Sequence, residues 1–190
     1  GAYIIGPSSV SMAQQLLNGA VRRDRLVRPF VNRLAEQTGE SAAYYELDRD
    51  KIRVIAKKEM PESFHYLSEG TRTGRLHDHL FSQALFAFSG REAGNTIAQV
   101  EGLSKEDSTE LERRLKEVRK AGGAYGCENA DVSISRIVNP VFGRTSEPLG
   151  AIGITVLNVD IPADIMSQFI KQVSSISEEL SEKFKHNNIL

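Results

Sequence analysis

The chain has 190 residues, enough for one compact domain with a substantial core or two small ones. Its 24 Lys and Arg against 25 Asp and Glu leave a net charge of -1, so the chain lacks the basic footprint of a nucleic-acid binder. No run of about 18 apolar residues spans a membrane, the N-terminus lacks a secretory pattern, and a lone cysteine excludes an internal disulfide, which together fit the cytoplasm.

In chain order, "RRDRLVRPFVNRLAEQT" (22–38) repeats its apolar residues at the spacing of a helix with one buried face, and Gly39 supplies the stop. Pro29 lies inside that pattern, so the helix is expected to start near it or kink there. Residues 8–18 form a weaker helical candidate. "ESAAYYEL" and "IRVIAKKE" read as a hairpin around "DRDK", with Ile52, Val54 and Ala56 alternating on one face. "SFHYL" (63–67) reads as a third short strand, followed by the turn "EGTRTG". A helix is expected from Asp78 to Phe88, broken by "SGREAGN".

Ser104 and Asp107 make a capping-box-like start to a helix that buries Leu111, Leu115 and Val118 and stops at Gly122-Gly123. "VSISRIVNPVF" and "EPLGAIGITVLNV" are two further strands joined by "GRTSE". Gly150 and Gly153 in the second mark places where a side chain would obstruct packing or a ligand. Asp160 and Pro162 open a long last helix with the stripe Ile165, Met166, Phe169, Ile170, Val173, Ile176, Leu180 and Phe184. Two groups of strands with helices between them predict an α+β fold, one largely antiparallel sheet with helices packed on it.

Several segments, in fixed order, resemble the IclR family of transcription regulators. "RLVRPFVNRLAEQTGESA" resembles that family's "lRP.l..La..tGET", and "EGTRTGRLHDHLFSQALFA" its "vG.r.Plh.tA.GKalLA". "LKEVRKAGG", "IVNPVF", "LGAIGITV" and the initial "YIIG" match further elements, so the resemblance covers nearly the whole chain. It implies a single effector-binding domain over residues 1–190 with a GAF-like α+β fold. A winged helix-turn-helix module is then expected upstream, so that DNA is reached only through a part absent from this chain, as a homodimer or tetramer. The family's "GK" pair falls on Ser82-Gln83 and the tyrosine of its "GY" on Gly123. These departures leave the fold pattern intact and the ligand class open.

Among candidate sites, His77-Asp78-His79 first suggests a metal. Two histidines two apart share a face on a strand but diverge at a helix start, and a zinc site needs three or four convergent ligands. Only His65, His186, Cys127 and scattered carboxylates remain to complete it, at no recognisable spacing. The resemblance makes His77 part of the pocket rim and Asp78 an N-cap. Nucleophilic catalysis has no local histidine partner for Cys127 and no "GxSxG", and no phosphate-binding glycine loop occurs. Glu110, Glu112, Glu178 and Glu179 read as solvated helix faces.

By resemblance the effector pocket takes Leu80 and Phe81 at a helix lip, Cys127 or Glu128 at an acidic loop, Arg136 from one strand, and Gly153 and Thr155 from the next. Arg136 would hold a carboxylate bidentately and Thr155 would donate a hydroxyl hydrogen bond, unless Arg136 points outward to a surface glutamate. Gly153, standing where the family has serine, would enlarge the pocket, and Leu80 and Phe81 would make its wall apolar. The expectation is therefore a sensor of a small organic acid, aromatic or alkyl, with no enzymatic activity, no cofactor and no membrane partner. Two rivals are a metal-dependent enzyme built on His77, Asp78 and His79, and a stand-alone GAF-like interaction domain.

Overall fold

One unbroken helix, α1, runs from Pro7 to Thr38 and fuses both helical candidates. The computed structural model describes residues 7–48, 51–61, 63, 68–73, 76–90, 93–129, 134–157 and 161–187, with backbone only at 7–22, 73, 93 and 128–129. Pro29 neither starts nor ends α1. Both Pro29 and Arg25, whose carbonyl loses its partner, are exposed, so water can take the freed acceptor. Val27, Val31, Leu34 and Ala35 form the buried stripe.

The strands are β1 (Ser41–Asp48), β2 (Lys51–Lys58), β3 (Arg72–Thr73), β4 (Ala124–Asn129), β5 (Ile134–Phe142) and β6 (Pro148–Leu157). They form one sheet in the order β3-β2-β1-β6-β5-β4, each neighbouring pair antiparallel. The α+β class with one antiparallel sheet is thus the observed one. β1, an interior strand, is buried continuously from Ser41 to Glu46 because both faces of the sheet are covered.

Four expectations are corrected in detail. The strand on the outer side of β2 is β3, inside the segment read as a turn; residues 64–67 of the expected "SFHYL" strand lie outside the described residues. β4 was not anticipated, since "AYGCEN" carries Gly126 and no clean alternation; its pairing with β5 makes it a strand. A helix, α3 (Ala93–Glu101), begins inside the segment read as a break. Its Gly94 is where it approaches the next helix, for a Cβ there would lie 3.3 Å from the Leu115 side chain. Finally α2 spans Leu80–Phe86 rather than starting at Asp78, with all seven residues buried.

α4 (Lys105–Ala121) follows the sequence closely. Ser104 caps it by accepting the Asp107 amide at 3.1 Å, and Gly122, at φ 78°, ends it in the left-handed region. α5 (Ala163–His186) buries Phe169, Val173, Ile176, Leu180 and Phe184, whereas Ile165, expected in that stripe, is exposed. Asp160 lies outside the described residues. α1 and α5 cover one face of the sheet; α2 and α4, with α3 outside them, cover the other. Successive β6 residues serve the two faces in turn, Ile152, Ile154 and Val156 toward α1 and α5, Ala151 toward α2.

Candidate functional site

The α2 face of the sheet gathers the polar and aromatic groups. Gly126, Arg136, Thr155 and Ser41 lie side by side across β4, β5, β6 and β1, so they form one row on one face. Arg136, only 1% exposed, points to this face: its Nη1 lies 3.1 Å from Nε2 of His79, and its guanidinium carbon 5.9 Å from the Phe81 ring centre. The inward direction of Arg136 is thereby fixed.

His79 is the N-cap residue of α2 and is buried. Arginine has donors only, so Nε2 accepts and the proton resides on Nδ1. Burial holds the imidazole well below its ordinary pKa, and the charge of Arg136 lowers it further, so His79 is neutral at physiological pH. Phe81 stacks on Tyr45 of β1 with ring centres 4.0 Å apart, and both rings also flank His79, at 5.8 and 5.7 Å. The result is a cation beside a neutral imidazole, walled by two aromatic rings. Such a site can hold a planar anion by charge-assisted hydrogen bonds and ring contact.

The segment before α2 is pinned from outside. Glu101, the last residue of α3, accepts the backbone N–H groups of Leu76 and of His77, the latter at 3.1 Å, and pairs with Nδ1 of His77. His77 Nε2 lies 3.2 Å from Asp78 Oδ2. Gln83 reaches back from α2 to donate to the His77 carbonyl at 2.7 Å. The N-cap position of α2 is therefore His79 rather than Asp78, contrary to expectation; the His79 side chain makes no capping hydrogen bond, and the Asp78 carboxylate faces His77. His77 and His79 diverge, one to carboxylates and one to a guanidinium. Among the described residues no three His, Cys, Asp or Glu side chains converge as a metal-ligand set.

The expected pocket residues thus divide. Phe81, in the first turn of α2, lies against Arg136, and Thr155 lies beside Arg136 in the sheet, while Leu80 is buried in the same apolar cluster as Phe81. Cys127 does not join them: it is exposed and paired with Ser135, hence on the face opposite Arg136. The side chain of Glu128 lies outside the described residues. Gly153 is on the correct face, but its missing side chain is required by strand approach rather than by pocket volume. A Cβ there would lie 2.3 Å from the Ile137 carbonyl oxygen on β5. Sequence reasoning missed Tyr45, His79 as the partner of Arg136, and Glu101. The doublet Tyr44-Tyr45 carried one signal, since in a strand one ring must face each side.

Residues 22–182 match the family of bacterial transcriptional regulator IclR C-terminal domains. The chain belongs to the IclR family. An IclR-type regulator from Silicibacter sp. TM1040 superposes on this IclR domain with TM-score 0.78 at 17% identity, over 97% of this chain and 76% of that one. The C-terminal domain of E. coli KdgR gives TM-score 0.71 at 19% identity, over 88% and 99%. An IclR homologue from Microbacterium hydrocarbonoxydans, crystallised with 4-hydroxybenzoate, gives TM-score 0.73 at 14% identity, over 88% and 70%. At these identities the likeness is one of fold. Among curated proteins none matches the sequence. The IclR family is one of transcription regulators rather than enzymes, and among the described residues of this IclR domain no helix is long and apolar enough to cross a membrane.

Proposed function

We propose that this domain senses a small organic carboxylate at the Arg136–His79 site and thereby modulates DNA binding by a winged helix-turn-helix module elsewhere in the full regulator. The observation that carries the reading is the buried Arg136 on the α2 face, beside His79 and the ring of Phe81, which packs on Tyr45. Arg136 supplies the bidentate donor and Thr155, half-buried in the same row, a hydroxyl. Leu80, Phe81 and Tyr45 supply an apolar wall that favours an aromatic or alkyl acid over a two- or three-carbon one. The 4-hydroxybenzoate bound by the Microbacterium homologue is an acid of that class.

Effector binding would shift the population between arrangements of the sensory domains in a cytoplasmic dimer or tetramer, and so reposition the DNA-binding modules. Thermal denaturation against a panel of aliphatic and aromatic carboxylates tests this. An acid at a hundred times its Kd adds roughly 2.7 kcal/mol, a rise of about 5–10 °C for a chain of this size. Arg136→Ala is expected to abolish the rise. Equal stabilisation of wild type and Arg136→Ala would show that the acid binds elsewhere.

A further inference from the structure

Glu101 is placed against local preference. It ends α3, where the helix dipole disfavours a carboxylate. The end itself is closed by other means. Gly102, at φ 63°, takes the left-handed conformation, Leu103 N–H donates to the Ala98 carbonyl at 2.9 Å, and Gly102 N–H to that of Gln99 at 3.3 Å. This pair of bonds is the Schellman motif, which satisfies the last carbonyls without help from the Glu101 side chain. The carboxylate is therefore free to act outside its helix. It is 13% exposed and takes three donors from the 76–77 segment: two backbone N–H groups and the His77 ring.

Two residues further along that segment is His79, whose Nε2 meets Arg136. Between Glu101 on one side and Gln83 on the other, His77 is fixed at its amide, ring and carbonyl. Gln83 N–H also donates to the His79 carbonyl at 3.0 Å, so the same two residues bracket the whole turn. We propose that Glu101 is a positioning residue of the effector site: by gripping residues 76 and 77 it sets the place of the His79 ring, and so the contact with Arg136 that fixes its tautomer. What this says of binding rests on the carboxylate reading above; what it says of His79 does not.

The isosteric Glu101→Gln variant turns one of the two acceptors into an amide N–H₂ that faces the backbone N–H of Leu76 or of His77, which weakens the grip without a change of size. Ile97→Val serves as control, because it loosens the buried side of α3 and leaves the grip intact. The chain has four histidines, so ring-nitrogen NMR resolves each of them. In ligand-free Glu101→Gln the His79 signals are expected to leave the pure Nδ1–H pattern, and Kd for benzoate to rise at least fivefold; Ile97→Val should change neither. Glu101→Asp, which keeps both acceptors, should recover part of the wild-type pattern.

Unchanged His79 signals in folded Glu101→Gln, or equal changes in Ile97→Val, would overturn the proposal. If His79 moves in Glu101→Gln but the wild type binds no acid of the panel, Glu101 still positions the ring and the carboxylate reading is the one that fails. Should Glu101→Gln not fold, His77→Gln removes the ring's contacts with Glu101 and Asp78, keeps both backbone bonds to Glu101, and is read in the same way.

Discussion

Single residues decide how closely the layers of this domain approach. A Cβ on Gly153 would lie 2.3 Å from a backbone oxygen and 2.9 Å from the Val138 Cα, neither of which can rotate away. A Cβ on Gly150 would lie 2.2 Å from the Tyr44 hydroxyl and 2.6 Å from the Tyr45 carbonyl oxygen. Gly153→Ala is expected to cost about 2–3 kcal/mol, the upper range of overpacking, measured by chemical denaturation. Gly150→Ala should cost a similar amount and be partly rescued by Tyr44→Phe, which removes the nearest atom. In the opposite sense, the Ser82 hydroxyl is fully buried with no hydrogen-bond partner among the described residues. Ser82→Ala is expected to stabilise by about 1 kcal/mol, a rise in Tm of about 2–4 °C. The sequence singled out both glycines as places where a side chain would obstruct, and that reading holds for packing. It could not tell that Gly153 answers to β5 rather than to a ligand, because the distance between two strands is a property of the sheet.

Elements were legible where period and caps agreed. α4 shows Ser104, a three-residue apolar stripe and Gly122 in sequence, and each does in the structure what its residue type predicts. Ser104→Ala should cost about 1 kcal/mol, read as a fall in Tm. α1 shows why a proline alone is weak evidence of a break, since an exposed helix side lets water replace the lost bond. α2 is buried on every side, so its residues have no polar face to betray a helical period and its start was misplaced by two residues. Among its described side chains α3 has one fully buried apolar one, Ile97, too little to register as a pattern. Missing α3 meant missing Glu101, and with it the reason why His77 and His79 face different ways. Arg136 was legible as a candidate from the resemblance, but its direction depended on strand register, which only the pairing with Gly126 and Thr155 fixes.

The two faces of the sheet each bury an ionisable group, and they oppose one another as pH changes. His79, toward α2, has a folded-state pKa well below its ordinary 6.5. The unfolded chain binds that proton first, so stability is lost as pH falls below 6.5, by up to about 1.4 kcal/mol per pH unit. Glu46, toward α1 and 3.6 Å from Arg23, has its pKa raised from 4.5 by burial, an effect that the nearby arginines reduce. The fold favours the neutral acid, so its contribution is present below 4.5 and is lost as pH rises through the folded value. Stability measured by denaturant from pH 4 to 8 should lose its fall below pH 6.5 in His79→Phe. Glu46→Gln should gain on the wild type as pH rises above 4.5.

The length of α1 has a mechanical consequence. Its 32 residues extend about 48 Å, whereas the six strands span about 24 Å across and the ten residues of β6 about 33 Å along. Even the diagonal of the sheet is shorter than the helix, so a stretch of α1 overhangs the surface that holds it. α1 rests on β1, the strand whose other side presents Tyr45 to the candidate site. A rod clamped at one end amplifies angle into travel: a tilt of about 5° over a clamped half moves the opposite end by roughly 2 Å. That travel is enough to make or break a hydrogen bond, so an overhanging helix turns a small tilt of its packed part into a displacement that a distant contact would register.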